Sequence, residues 1–168
     1  MKEGFEAFKA TIDLTQYALS GYQGLLVFTL IGTIATILMQ SSHASLVLIL
    51  TALSASQITY ENAIALTVGA NIGTTITAVI GSLGASLEGK KLAGAHFLIN
   101  TVTGLILVWF VPQFIILIDY TAPLLGINSD DYALKLALYH TYFNFLCVIL
   151  FSPLVPHMVQ LLNFVFQT

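Results

Sequence analysis

Four long stretches of the chain carry no charged residue, and this feature constrains the fold more than any other. They lie between Asp13 and Glu61, between Glu61 and Glu88, between Lys91 and Asp119, and after Lys135. Each is long enough for a helix of about 20 apolar residues, which crosses a hydrocarbon core of ~30 Å. The sequence therefore predicts an all-α membrane protein, built as a bundle with several spanning helices.

The composition agrees with this prediction and excludes several classes of protein. Only 8% of the 168 residues are charged and 57% are hydrophobic, whereas roughly 25% of an average soluble domain is charged. So few charges cannot cover the surface of a soluble protein, which excludes a cytosolic enzyme, a nucleic-acid binder and a disordered tail. The sequence has no nucleophile–base pair, metal-ligand cluster or cofactor motif, so we expect no enzyme and no cofactor.

The chain divides into a short N-terminal segment and a membrane domain. In residues 1–19, apolar side chains recur at helical spacing between charges, which predicts an amphipathic helix at the lipid surface. Residues 20–168 form the membrane domain. Within it, the apolar run at residues 46–55 is too short to cross a bilayer, which predicts half a helix or one arm of a re-entrant hairpin. Pro112 is expected to kink or end a long apolar segment.

Two polar clusters interrupt the apolar segments. The first is Gln40-Ser41-Ser42-His43-Ala44-Ser45, and the second is Gly69-Ala70-Asn71-Ile72-Gly73-Thr74-Thr75. Residues of these types are poor helix formers, so the sequence predicts a discontinuous helix at each cluster, with the two breaks close together. Broken helices are tolerated in a membrane only where they are buried in protein or line a cavity, and many transporters build their sites from them. The clusters are therefore the candidate site.

The chemistry of the clusters suits small ions. Exposed N–H groups at the start of a half-helix attract an anion, whereas hydroxyl, amide and carbonyl oxygens suit Na⁺, a hard cation. The candidate ion-binding residues are Gln40, Ser41, Ser42, Ser45, Asn71, Thr74 and Thr75. The candidate sodium ligands among them are Ser41, Ser42, Asn71, Thr74 and Thr75. Which residues hold the anion and which hold Na⁺ stays open.

Simpler interpretations stay open for some of these positions. Gly69 and Gly73 have the spacing of a small-residue pair that packs two membrane helices together. His43 fits an ion ligand, a proton-sensitive group or a packed neutral imidazole. Four further polar residues form two i, i+4 pairs in apolar helices and are predicted to bond between helices in support of the site: His96 with Asn100, and His140 with Asn144.

With these motifs in order, the chain resembles the sodium-dependent phosphate cotransporters, specifically the bacterial Na⁺/phosphate symporters related to the type II animal transporters. That family has a Gln-Ser-Ser-Ser-Ala-Thr motif, then Gly-Ala-Asn-Ile-Gly-Thr-Thr, then an Ala-His-x-x-x-Asn helix and a His-Thr-x-Phe-Asn helix. The order and spacing fit across residues 21–156. The chain departs from the first motif at two positions, where His43 replaces the third Ser and Ser45 replaces the closing Thr.

The resemblance implies Na⁺-driven entry of phosphate through the bacterial inner (plasma) membrane. Members of the family carry two copies of this unit as inverted repeats, with the site between them, and this chain resembles one copy, most like the second. The implied partners are phosphate, sodium, membrane lipids, and a second repeat or a second copy of the chain. The chain is then a fragment of a longer transporter, a half-size protein that dimerises, or a non-transporting relative. A pore subunit and a structural membrane subunit are the alternatives from other classes.

Overall fold

The computed structural model of the chain describes residues 21–166, which form seven α-helices and three short 3-10 turns and contain no strand. The helices are α1 (Gly21–Met39), α2 (Ser42–Ser54), α3 (Tyr60–Gly81), α4 (Leu87–Trp109), α5 (Val111–Thr121), α6 (Tyr132–Phe151) and α7 (Val155–Val165). The expected all-α fold is confirmed. The amphipathic helix predicted for residues 1–19 lies outside the described residues.

Four helical segments are long and apolar enough to cross a membrane. They are Gly21–Met39, Tyr60–Gly84, Leu87–Trp109 and Tyr132–Val165. The helix α2 is apolar but has only 13 residues, so it is too short to span, as the sequence predicts for this part of the chain.

Prolines mark the ends of the long helices on the C-terminal side. α4 ends at Trp109, and Pro112 lies in the first turn of α5, where its missing N–H group costs no helical hydrogen bond. Pro153 lies in the 3-10 turn that follows α6. The helix end predicted near Pro112 is therefore confirmed.

The helix α3 is the centre of the bundle. It contacts α1, α2, α4, α5 and α6, and its side chains Ile64 and Val68 are completely buried. The polar segment at residues 69–75 belongs to this helix, so the surroundings of that segment are protein along much of its length.

The helices α1 and α3 pack with their backbones in direct contact. Gly32 of α1 lies against the backbone of Leu66, and Gly69 and Gly73 of α3 lie against the backbone of α1. A methyl group at Gly73 would stand 2.6 Å from the carbonyl oxygen of Thr33, which is closer than any side chain can approach. Small residues are what allows membrane helices to come this close.

The break predicted at residues 69–75 is wrong, because α3 is continuous from Tyr60 to Gly81. The threonine hydroxyls bond to the helix itself: Thr74 Oγ1 donates to the carbonyl of Ala70 at 2.8 Å, and Thr75 Oγ1 to that of Ile72 at 2.7 Å. Each Gly costs about 1 kcal/mol relative to Ala in a helix. The close contact with α1 that glycines permit compensates for this cost, so the packing interpretation of Gly69 and Gly73 is the correct one.

Candidate functional site

The first polar cluster lies at a true interruption between two helices. α1 ends at Met39 and α2 begins at Ser42. Between them Gln40 adopts a left-handed backbone, with φ 52°, which few residues other than Gly adopt. Ser41 then serves as the N-cap of α2, and its Oγ accepts the N–H of Ala44 at 3.2 Å. The predicted break at this cluster is confirmed.

A short chain of buried hydroxyl groups links the end of α1 to the start of α2 across the break. Thr36 Oγ1 of α1 donates to Ser45 Oγ of α2 at 2.7 Å, and Ser45 Oγ donates to the carbonyl of Ser41 at 3.1 Å. Both Thr36 and Ser45 are buried. These two bonds fix the end of α1 relative to the first turn of α2, and so hold the N-terminus of α2 in one place.

Thr36 also connects the first cluster with α3. The side chain of Thr36 lies directly against Gly73, so the hydroxyl chain stands beside the second predicted cluster. The remaining polar residues of that cluster point elsewhere. At about 100° per residue, Asn71 lies about 160° around the α3 axis from both Gly69 and Gly73. Its side chain therefore leaves α3 on the face away from α1, and the structure brings only the glycine face of the second cluster to the first.

The polar face of α3 contains an unused hydrogen-bond donor. Among the described residues, the amide nitrogen Nδ2 of Asn71 is buried and has no hydrogen-bond partner. An unsatisfied buried donor costs about 1–3 kcal/mol. Thr75, one turn further on the same face, is completely buried, and Thr74 is half-buried. The donor is therefore enclosed by the packing of the described residues without an acceptor.

The residues around the break differ in exposure. Gln40 and His43 are exposed, whereas Ser41 and Ser42 are half-buried. Ser42 occupies the first turn of α2, where backbone N–H groups lack partners within the helix and the helix dipole is positive. The end of α2 is thus both accessible and favourable for negative charge.

The two predicted His–Asn pairs each show one amide bond within their own helix. Asn100 Nδ2 donates to the carbonyl of His96 at 3.1 Å, and Asn144 Nδ2 to that of His140 at 2.7 Å. Each amide thus bonds within its own helix, because the i, i+4 spacing that places two side chains on one face also brings the carbonyl of residue i within reach.

His140 nevertheless lies beside the first cluster. It lines a cavity of about 180 Å³ between α2 and α6, together with Leu46 and Leu50. The Nδ1 atom of His140 is buried and has no hydrogen-bond partner within the part of the chain that the structure describes. Sequence order alone could not place His140 against α2.

Threonines of α1 are the residues that the sequence analysis missed. Thr36 provides the bond to Ser45, while Thr29 and Thr33 bond to carbonyls of their own helix. A signal was present, because Gly32 and Thr36 are small residues four positions apart, as are Gly69 and Gly73. Matching small-residue pairs in two apolar segments indicate a close helix contact.

The described residues offer oxygen ligands rather than a conventional metal cluster. Within residues 21–166, no group of three or more His, Cys, Asp or Glu side chains could hold a metal ion. The donors at the break are hydroxyl and carbonyl oxygens, which are ligands that hard cations accept.

A family model described as Na⁺/Pi-cotransporter matches residues 23–136. The chain belongs to the Na⁺/Pi-cotransporter family. The match includes both polar clusters and the pair His96 and Asn100, and it ends before His140. Together with four helices of spanning length, membership in this family makes the chain an integral membrane protein of a transporter family.

One curated protein that the chain is similar to is "Uncharacterized protein YqeW" of Bacillus subtilis (strain 168). The two are 26% identical over 134 residues, which cover 80% of this chain and 41% of that relative. The chain thus spans less than half the length of that relative. No solved structure matches it.

Proposed function

We propose that this chain carries out Na⁺-coupled symport of inorganic phosphate as one half of a two-repeat transporter. The observation that carries the proposal is the capped break between α1 and α2, inside the region that matches the Na⁺/Pi-cotransporter family. At this break a positive helix end, hydroxyl groups and a backbone carbonyl lie side by side, and an anion and a cation need such groups in one place.

In this proposal phosphate binds at the first turn of α2. The N-terminus of a helix attracts phosphate through its N–H groups and its dipole, and Ser42 adds a hydroxyl there. The charge of the anion is balanced by Na⁺ ions rather than by a buried Lys or Arg, which would be costly to bury. The proposed sodium ligands lie in two places, which are the break, with Ser41 and Ser42, and the face of α3 away from α1, with Asn71, Thr74 and Thr75.

A second unit completes the site in this proposal. Gln40 and His43 are exposed at the break. Unsatisfied polar groups facing lipid would each cost several kcal/mol. The chain also spans 41% of the relative that it matches. We therefore infer that a second repeat, or a second copy of the chain, covers this surface in the bacterial inner membrane.

The experiment that tests the proposal is phosphate uptake into proteoliposomes that contain the purified chain, alongside its oligomeric state in detergent. We expect saturable uptake of radiolabelled phosphate that requires an inward Na⁺ gradient and is lost when K⁺ replaces Na⁺. Flux that rises linearly with phosphate concentration would instead identify a pore. Saturable Na⁺-coupled uptake by a chain shown to be monomeric would contradict the half-transporter assignment.

A further inference from the structure

The span that begins with α6 is covered less by the rest of the chain than the other described spans are. Of an 18-residue stretch in this span, 6% is buried, against 56% in the span formed by α3. The exposed residues of α6 include Ala137, Thr141, Asn144 and Ile149. A large part of this helix is therefore left for lipid or for another protein to cover.

The exposed face of α6 has two flanks of different character, as the rotation of about 100° per residue shows. The flank next to α2 carries small and polar side chains, which are Ala133, Ala137, His140 and Asn144. The other flank carries large apolar side chains that are at least half exposed, which are Leu134, Phe145 and Ile149. The second flank suits lipid, whereas the first places polar groups on an outer surface of the bundle.

The polar residues of the first flank lie near the middle of the bilayer. The 20 residues of α6 rise about 30 Å, which is the thickness of a hydrocarbon core. Asn144 is the thirteenth of them, so it lies within about 5 Å of the centre. Its side chain makes one hydrogen bond to the part of the chain that the structure describes, to the carbonyl of His140 at 2.7 Å. Its amide oxygen and its second N–H are left without a partner, and lipid offers them none.

An open cavity lies on the same flank. It has a volume of about 180 Å³ and lies between Leu46 and Leu50 of α2 and the small residues of α6. Ala133 and Ala137 line it and are exposed, so the cavity opens to the surroundings of the bundle. The cavity walls and the polar residues beside them form one surface, called the α2–α6 face below, which comprises Leu46, Leu50, Ala133, Ala137, His140 and Asn144.

A second copy of the chain is the occupant that fits the α2–α6 face. The 134 matched residues are 80% of this chain and 41% of the relative, so the relative is about twice as long and has room for two units of this size. A second copy in the same bilayer, in either orientation, brings its own Asn144 to nearly the same depth. Because an amide both donates and accepts hydrogen bonds, such a face complements itself.

We propose that the chain forms a homodimer through the α2–α6 face, with α6 of each copy packed against this face of the other. The inference rests on the proposed function only for the requirement of a second unit, and it assigns the contact with that unit to α6. The small side chains of Ala133 and Ala137 allow the partner's backbone to come close, and the amide of Asn144 gains a hydrogen-bond partner there.

Sedimentation equilibrium of the purified chain in a density-matched detergent measures the dimer without any transport and without a label. We expect an equilibrium between monomer and dimer in the absence of phosphate and Na⁺. A monomer at every protein concentration would show that lipid or detergent covers the α2–α6 face, and would overturn the proposal.

A bulky side chain on each flank of α6 locates the contact. Ala137 and Ile149 are both exposed and lie about 120° apart around the helix axis. Ala137→Phe keeps the partner's backbone at a distance, so we expect it to raise the dissociation constant of the dimer at least about tenfold. Ile149→Phe is the matched control on the other flank and should leave the dissociation constant unchanged. Equal effects of the two substitutions would contradict the proposed face.

The amide of Asn144 provides a second, less disruptive test. Asn144→Leu should weaken the dimer by about 3- to 30-fold, as expected for the loss of one hydrogen bond between membrane helices. Asn100→Leu is the control, because Asn100 makes the same kind of bond to the carbonyl of His96 within α4, and it should leave the dimer unchanged. An Asn144→Leu dimer as tight as that of the unsubstituted chain would overturn the assignment of this residue to the contact.

The same measurements separate the dimer from the proposed function. A chain that dimerises as described and fails to take up phosphate would reject the proposed function alone. Na⁺-coupled uptake by a dimer that neither Ala137→Phe nor Asn144→Leu weakens would reject the α2–α6 face alone.

Discussion

The hydroxyl of Thr36 donates a 2.7 Å hydrogen bond to the hydroxyl of Ser45, and both side chains are buried. The bond joins the last part of α1 to the first turn of α2 across the break at Gln40. In a continuous helix, two side chains nine residues apart would lie about 13.5 Å apart along the axis and could not bond. The bond is possible because Thr36 and Ser45 belong to two separate helices. We infer that this bond, rather than the local backbone, fixes the position of the α2 N-terminus.

Removing this bond should loosen the break by a measurable amount. Thr36→Val keeps the shape of the side chain and deletes the donor, and we expect it to lower the free energy of unfolding by about 1 kcal/mol. In a double-mutant cycle with Ser45→Ala, the coupling energy should be about 0.5–1.5 kcal/mol. Unfolding in mixed micelles provides the measurement.

Thr29→Val is the matched control for this cycle. Thr29 is also buried in α1, but its hydroxyl bonds to the carbonyl of Leu25 in the same helix. We expect no coupling between Thr29→Val and Ser45→Ala. A coupling of the same size for both threonines would show that the effect does not come from the bond between Thr36 and Ser45.

The contact between α1 and α3 should not tolerate a side chain at Gly69. A methyl group there would overlap the backbone of α1, so Gly69→Ala must push the helices apart, at a cost of about 1–3 kcal/mol or more. Gly81→Ala is the control on the same helix, since a methyl group there meets no atom within 4 Å. It should leave stability unchanged or slightly raised. Thermal unfolding in detergent measures both, and similar melting temperatures for the two variants would refute the packing argument.

The sequence was sufficient to predict the helices, and insufficient to predict how the second cluster is used. Charge-free length identifies the spanning segments because the bilayer sets a minimum length for an apolar helix. A glycine, however, disfavours a helix by its propensity and favours it by allowing close packing. Which effect is larger at Gly69 depends on whether α1 lies beside it, and that contact joins residues far apart in the sequence.

The candidate site was predictable only where its residues are neighbours in sequence. Ser41 and Ser45 lie in one short segment, and the N-cap role of Ser41 follows from local chemistry. The contribution of Thr36 depends on a partner in the next helix, and the position of His140 beside Leu46 and Leu50 depends on how α2 lies against α6. Hydroxyls and imidazoles in membrane helices have several ways to bond, so their partners follow from packing rather than from spacing.

Removing one partner of the ion pair between α5 and α6 should destabilise the protein, whereas replacing the buried Lys135 by an apolar side chain of similar size should change stability little. Lys135 Nζ lies 2.7 Å from Asp119 Oδ1, with the Lys side chain 8% exposed and the Asp side chain 51% exposed. Asp119→Ala leaves a buried charge without its partner, and we expect a loss of about 1–3 kcal/mol in stability. Lys135→Met retains the volume and removes the charge, so its effect should be within about 1 kcal/mol.

Chemical or thermal unfolding of these two variants decides between two views of the pair. If Lys135→Met destabilises the protein as much as Asp119→Ala does, the attraction between the charges exceeds the cost of burying Lys135. If Lys135→Met is nearly neutral, the pair serves mainly to neutralise a buried ammonium group.

The proposed phosphate and sodium site makes its sharpest prediction at Ser42. In the proposed site this hydroxyl bonds a charged ligand, so Ser42→Ala should lose about 1.5–3 kcal/mol of binding energy, equivalent to roughly 10- to 150-fold in affinity for phosphate measured in the presence of Na⁺. Thr51→Ala is the control, since Thr51 is also half-buried in α2 but bonds its hydroxyl to the carbonyl of Val47 at 2.7 Å.

A second pair on α3 applies the same comparison to Thr75→Ala and Thr67→Ala, because both side chains are completely buried and both bond within their helix. If each variant and its control weaken Na⁺-dependent phosphate binding equally, the polar clusters do not form the site.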